Sequence, residues 1–122
     1  QFERVLATGT VDMVGVDPGR AEGITGFKKV TERCEFYRRQ ANAHAWSSAI
    51  VTAASLAISF NSPSCKLFEF KPIRNPMQHD LVTKPFEQKD GWVYPPTGPG
   101  LGIDVIEDVI EGYRSEKVLG KA

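Results

Sequence analysis

The sequence predicts an α/β domain built on a short parallel sheet. Three observations carry that expectation. Short apolar runs alternate with longer helical patterns in the order β-α-β-α-β, which favours parallel strands joined by crossover helices. Each run ends on an ionisable residue, Asp17, His44 and Glu69, at separations of 27 residues (17 to 44) and 25 (44 to 69), each about one strand–helix unit. Behind His44, Ser47 and Ser48, both good N-caps, open a long apolar helix. Loops and helix N-termini converge at that edge of a parallel sheet, so ionisable groups in equivalent places suggest an acid/base site.

Composition bounds what such a domain can be. A chain of 122 residues supports one domain with a real core and is too short for two. Hydrophobic residues at 41% and charged residues at 25% are ordinary for a soluble globular protein. Fifteen basic and fifteen acidic residues cancel, and no basic run points to nucleic acid; Arg33, Arg38 and Arg39 read as a solvated helix face. Cys34 and Cys65 are too few for a disulfide framework or a zinc site, so a reduced, cytoplasmic setting is expected. No segment reaches about 18 uninterrupted apolar residues, so neither a transmembrane helix nor a membrane partner is expected. A first residue of Gln, without a signal-like segment, suggests a piece of something longer.

Phe2, Val5 and Leu6 fall at helical spacing ahead of Gly9, a plausible cap, and read as the last turns of a helix. Val11–Asp17 follows as a strand without strict alternation, as expected of a parallel strand covered on both faces. Gly19, Gly23 and Gly26 punctuate a turn, and their spacing does not match a dinucleotide fingerprint. Phe27, Val30, Cys34 and Tyr37 then recur as one face of an amphipathic helix. Gln40–Ala45 is the second strand. Ala49–Phe60 is apolar nearly all round, hence a helix buried on more than one side, and Asn61–Ser64 ends it. Cys65–Phe70 is the third strand. Lys71–Pro99 is a long proline-rich excursion in which Gly91–Tyr94 is the one strand candidate. Asp104 is expected to cap a last helix with Glu107 as capping-box partner, burying Val105, Val109 and Tyr113. Ser115–Ala122 is expected to fray. Three strands leave open edges, which parallel sheets normally avoid, so the sequence looks like the end of a larger fold.

Several segments sharpen this. Val16–Gly26 resembles the sixth-strand motif of the enolase superfamily, in its mandelate racemase and muconate lactonising branch. Asn42–Trp46 resembles the seventh-strand histidine motif and Phe68–Phe70 the eighth-strand motif. Asp90–Trp92, Pro95 and Gly98–Ile103 are similar to the closing segment. The resemblance implies the C-terminal portion of a (β/α)8 TIM-like barrel, strands six to eight, as a single partial domain over 1–122, with the final helix and tail at 104–122. The strand-seven histidine favours the mandelate racemase subgroup.

It also implies an activity. Members remove the proton α to a carboxylate and stabilise the resulting enolate with Mg²⁺. His44 would be the general base or acid, Asp17 would fix its tautomer, and Glu69 would donate a hydrogen bond to the substrate carboxylate, which requires it protonated. The substrate would be a small carboxylate, a sugar acid or 2-hydroxy acid, handled by a dehydratase or a racemase. The metal-ligand motifs, the strand-two lysine motif and the capping domain do not match anything here, so no metal ligand is assigned and the isolated chain is expected to be inactive. The alternative is a stand-alone, non-catalytic interaction module; either way a homo-oligomer is expected. A lone histidine before a helix is more often structural, but the Asp17 and Glu69 motifs beside it outweigh that. His79 and Arg20 read as surface residues, Trp46 and Trp92 as packing groups, and Lys71, just after the third strand, could face the site but more often would lie outside it.

Overall fold

The computed structural model describes residues 1–71 and 73–114. Its main sheet has three parallel strands in sequential order, β1 (Met13–Val16), β2 (Gln40–His44) and β3 (Phe68–Glu69). Helix α1 (Phe2–Ala7) precedes them, α2 (Gly23–Phe36) joins β1 to β2, and α3 (Ala49–Asn61) joins β2 to β3. The β-α-β-α-β order expected from the sequence is therefore present, with β3 shorter than Cys65–Phe70.

One face of the sheet makes the core. Val14 and Val16 on β1 and Ala41 and Ala43 on β2 are buried against Phe27, Val30, Cys34 and Ile58 of the two crossover helices, with Leu6 of α1 alongside. Alanines on β2 let α2 and α3 come close, and Phe27 fills the space between with no exposed area. The other face is not covered. Gly15 is exposed and Met13 and Asn42 are half-buried, so the expectation of strands covered on both faces fails within the described residues.

Local rules explain the helix limits. Ser48 caps α3, its Oγ accepting from Val51 N–H at 3.3 Å. Helix α2 starts at Gly23, earlier than the Phe27 onset of its apolar face. Gly26 permits this, because a Cβ there would lie 1.6 Å from the Ala21 carbonyl oxygen. Helix α3 buries Thr52, Ala53, Ser55, Leu56 and Ile58 but leaves Ile50 and Phe60 exposed, so it is less enclosed than its composition suggests.

The excursion is more ordered than expected. Asn75 caps a short helix, α4 (Pro76–His79), by accepting from Met77 N–H at 2.9 Å, with Pro76 at the first helical position. Strands β4 (Gln88–Lys89) and β5 (Trp92–Val93) pair as a hairpin. Its turn has positive φ at both Asp90 and Gly91, as a two-residue hairpin loop favours. The chain then returns to residues 81–83: Ile106 N–H donates to Leu81 O and Thr83 N–H to Asp104 O.

The last helix differs from expectation. Helix α5 (Glu107–Gly112) begins three residues after Asp104, its N-cap is Ile106, and no side chain caps it. Asp104 instead uses its carbonyl to hold Thr83. No residue of α5 is fully buried: Val109 and, just ahead of the helix, Val105 are half-buried, while Ile110 and Tyr113 are exposed. The expected frayed segment, 115–122, lies outside the described residues. No described helix is long and apolar enough to cross a membrane.

Candidate active site

The two sequence separations turn out to be the two sheet registers. On the β1–β2 ladder Met13 pairs with Gln40 and Val16 with Ala43; the next step brings Asp17 opposite His44. On the β2–β3 ladder His44 pairs with Glu69. Asp17, His44 and Glu69 therefore share one rung at the C-terminal edge of the sheet. Side chains alternate along a strand, and Val16, Ala43 and Phe68 face the helices. The next residue on each strand faces the open side, which is where all three ionisable groups emerge.

Asp17 is the most fixed of the three. Its side chain is 17% exposed. Oδ1 accepts from Gly19 N–H at 2.8 Å, closing a turn on itself, while the Asp17 carbonyl accepts from Arg20 and Ala21 N–H. Oδ2 faces two cations or potential cations: His44 Nδ1 at 3.4 Å and Arg20 Nε at 3.7 Å. The His44 distance is within ion-pair range but longer than the 2.7–3.2 Å typical of a direct hydrogen bond. Arg20 points into solvent, as read from the sequence, but keeps this loose contact.

His44 is restrained on a second side. Its ring lies 5.7 Å from that of Trp46, nearly parallel at 20°. Lys71 Nζ sits 6.0 Å from the Trp46 ring centroid. Two sequence readings are corrected here: Trp46 is not a core packing group but a stacking partner of the histidine, and Lys71 reaches the site's rim. Trp92, likewise read as packing, is 68% exposed. His79 is corrected too. It is half-buried, its Nδ1 accepting from Asn75 N–H at 3.1 Å, and it lines a small cleft with Glu69, Phe70 and Lys71.

Sequence reasoning missed one group altogether. The Ala45 carbonyl, between His44 and Trp46, accepts from Gln78 Nε2 and from Thr52 Oγ1, each at 2.9 Å. The dipeptide Asn75–Pro76 was the available signal, since an Asn cap before Pro opens a helix that would carry Gln78 inward.

The donor set does not fit a metal. Among the described residues no group of three or more His, Cys, Asp or Glu side chains could hold one. Asp17 already spends its oxygens on Gly19, His44 and Arg20. The magnesium that the family resemblance implies finds no ligand set among the described residues.

Ionisable residues at the C-terminal ends of parallel strands occupy the edge where barrel enzymes carry their sites. The family model for enolase C-terminal domain-like proteins matches residues 1–109. The chain belongs to that family. Among enolase-family relatives, D-gluconate dehydratase of Thermoproteus tenax is 30% identical over 112 residues, covering 91% of this chain and 22% of that protein. D-galactarolactone cycloisomerase of Agrobacterium fabrum is 25% identical, covering 91% of this chain and 32% of that protein. A solved mandelate racemase/muconate lactonizing enzyme from Sulfitobacter sp. superposes with a TM-score of 0.83 at 26% identity, covering 99% of this chain and 29% of that one. The chain thus matches the C-terminal portion of an enolase-family barrel. It spans 22% to 32% of the length of these relatives.

Proposed function

We propose that this chain is the C-terminal part of an enzyme that removes the proton α to the carboxylate of a sugar acid, as a dehydratase or, failing that, a racemase. The observation that carries the reading is the shared rung: Asp17, His44 and Glu69 emerge together, with His44 Nδ1 3.4 Å from Asp17. Asp17 favours a proton on Nδ1, which leaves Nε2 as the nitrogen able to take the α-proton. The same nitrogen, once protonated, can hand that proton to a leaving hydroxyl on its own side of the substrate, whereas a racemase needs a second acid/base group on the opposite face of the carbon. Glu69, one strand further along, would donate a hydrogen bond to the substrate carboxylate and must be protonated to do so. The activities of the relatives, D-gluconate and D-galactonate dehydration among them, support a sugar acid as substrate.

The open face supports the reading of a partial barrel. Asn42 Oδ1 is buried and has no partner among the described residues. It lies on the same face as His44, where further barrel strands would supply a donor. Exposed Leu67 and Trp92 beside the β3 edge likewise favour burial against more protein, from the rest of the polypeptide or from a second copy.

The test is a screen of the full-length protein with Mg²⁺ against aldonic and aldaric acids, following 2-keto product. Turnover of at least one sugar acid is expected, and none from residues 1–122 alone. Turnover by the isolated chain that survives repurification would refute the division of labour, and no turnover of any sugar acid by the full-length protein would refute the substrate class.

A further inference from the structure

The geometry points to Gln78 as a positioning residue for the histidine, acting from the excursion through the backbone of β2. The tripeptide His44–Ala45–Trp46 is held at each residue by a different part of the chain. Asp17 faces the His44 ring edge, and Lys71 lies over the Trp46 ring. Between them, the Ala45 carbonyl is bound by Gln78 and Thr52, and Thr52 Oγ1 also lies 2.9 Å from Gln78 Oε1. This triangle is buried: Ala45 is 2% exposed, Thr52 2% and Gln78 7%.

The hydroxyl carries one proton for two acceptors, whereas the Gln78 amide supplies both a donor and an acceptor. With Nε2 donating to Ala45, the single Thr52 proton is shared between Oε1 and the Ala45 carbonyl, each 2.9 Å away. Removing the amide leaves the Ala45 carbonyl dependent on Thr52, and the peptide between the two stacked rings loses its fixed plane. With its second buried donor gone, the strand end is held at Ala45 by the Thr52 hydroxyl alone and is free to tilt about that contact. The rings on either side of Ala45 would move with it. Helix α4 is in this view a clamp on the catalytic strand end rather than a filler in a proline-rich loop.

This inference rests on the acid/base reading of His44, but its test includes a readout that needs no turnover. The full-length protein is labelled with 5-fluorotryptophan, and the Trp46 resonance is assigned by its disappearance in Trp46→Phe. In the parent the resonance should move with pH as the stacked imidazole gains a proton, and His44→Gln should abolish that movement, which separates it from titration of Asp17 or His79. In Gln78→Met, close in size but without hydrogen bonds, the pH-dependent movement should shrink by at least half. The kcat should fall about tenfold with KM within about twofold, since a misplaced base loses rate rather than binding. Should Gln78→Met not fold, Gln78→Glu, which keeps the size but replaces the donor to Ala45 with an acceptor, is read in the same way. An unchanged pH-dependent movement in the folded variant would overturn the proposal, as would a parent resonance that ignores His44. Wild-type turnover by His44→Gln would instead overturn the acid/base reading, leaving the fluorine result to judge the clamp.

Discussion

The two faces of the main sheet are made from the same strands and serve opposite ends. On the helix side, Val14, Val16, Ala41 and Ala43 are small, apolar and buried under Phe27, Val30 and Cys34. On the other side the alternate residues are the half-buried Met13 and the bare Gly15, then the polar Gln40, Asn42, Asp17, His44 and Glu69. Because side chains alternate with a period of two, packing and chemistry are interleaved residue by residue and yet hardly touch. The buried face fixes the register, and the register alone brings Asp17, His44 and Glu69 to one rung. Such a division allows the chemistry to change while the scaffold is kept.

That separation can be broken most forcefully from the packed side. Phe27→Ala empties the centre of the core and should cost about 3–5 kcal/mol in urea unfolding of the full-length protein. A smaller effect should appear with pH. Burial pushes the Cys34 thiol from 9.0 up to about 11, reinforced by the neighbouring Cys65 and by Glu35. The folded thiol keeps its proton where the unfolded one has lost it, so stability should be constant below about pH 9 and decline from there towards 11. Cys34→Ala should flatten that slope. The smallest effect on stability should come from the open face. Asp17→Asn keeps an oxygen to accept from Gly19 and should shift unfolding by no more than about 0.5 kcal/mol, while slowing proton transfer less than loss of His44 does. A large loss of stability in Asp17→Asn would mean that the two faces are not independent.

How much of this was visible in the sequence follows the same division. Strands β1 and β2, helices α2 and α3 and the Asp–His–Glu spacing were legible because periodicity, caps and register all depend on residues near in sequence. The contacts that refine the site were not. Trp46 reads as an ordinary apolar residue until its ring is placed parallel to His44, and Lys71 and Gln78 come to the strand end from sequence beyond β3. The misreading of Asp104 has a different cause. It has a capping residue's spacing to Glu107, but its backbone is drawn into pairing with Thr83, and the helix starts later. Long-range pairing overrode a local signal, as it commonly does.

The central claim, that the shared rung is an acid/base site with His44 as its proton carrier, is tested most directly by exchange of the substrate α-proton with solvent. The full-length protein and its His44→Asn variant would be incubated with the sugar-acid panel in deuterated buffer, and loss of the α-proton signal followed by NMR. The account predicts exchange by the parent and a fall of about 10²–10⁴-fold in His44→Asn for the half-reaction that His44 serves, with the fold and substrate binding retained. Exchange by a folded His44→Asn variant at the parent's rate for every substrate would contradict it.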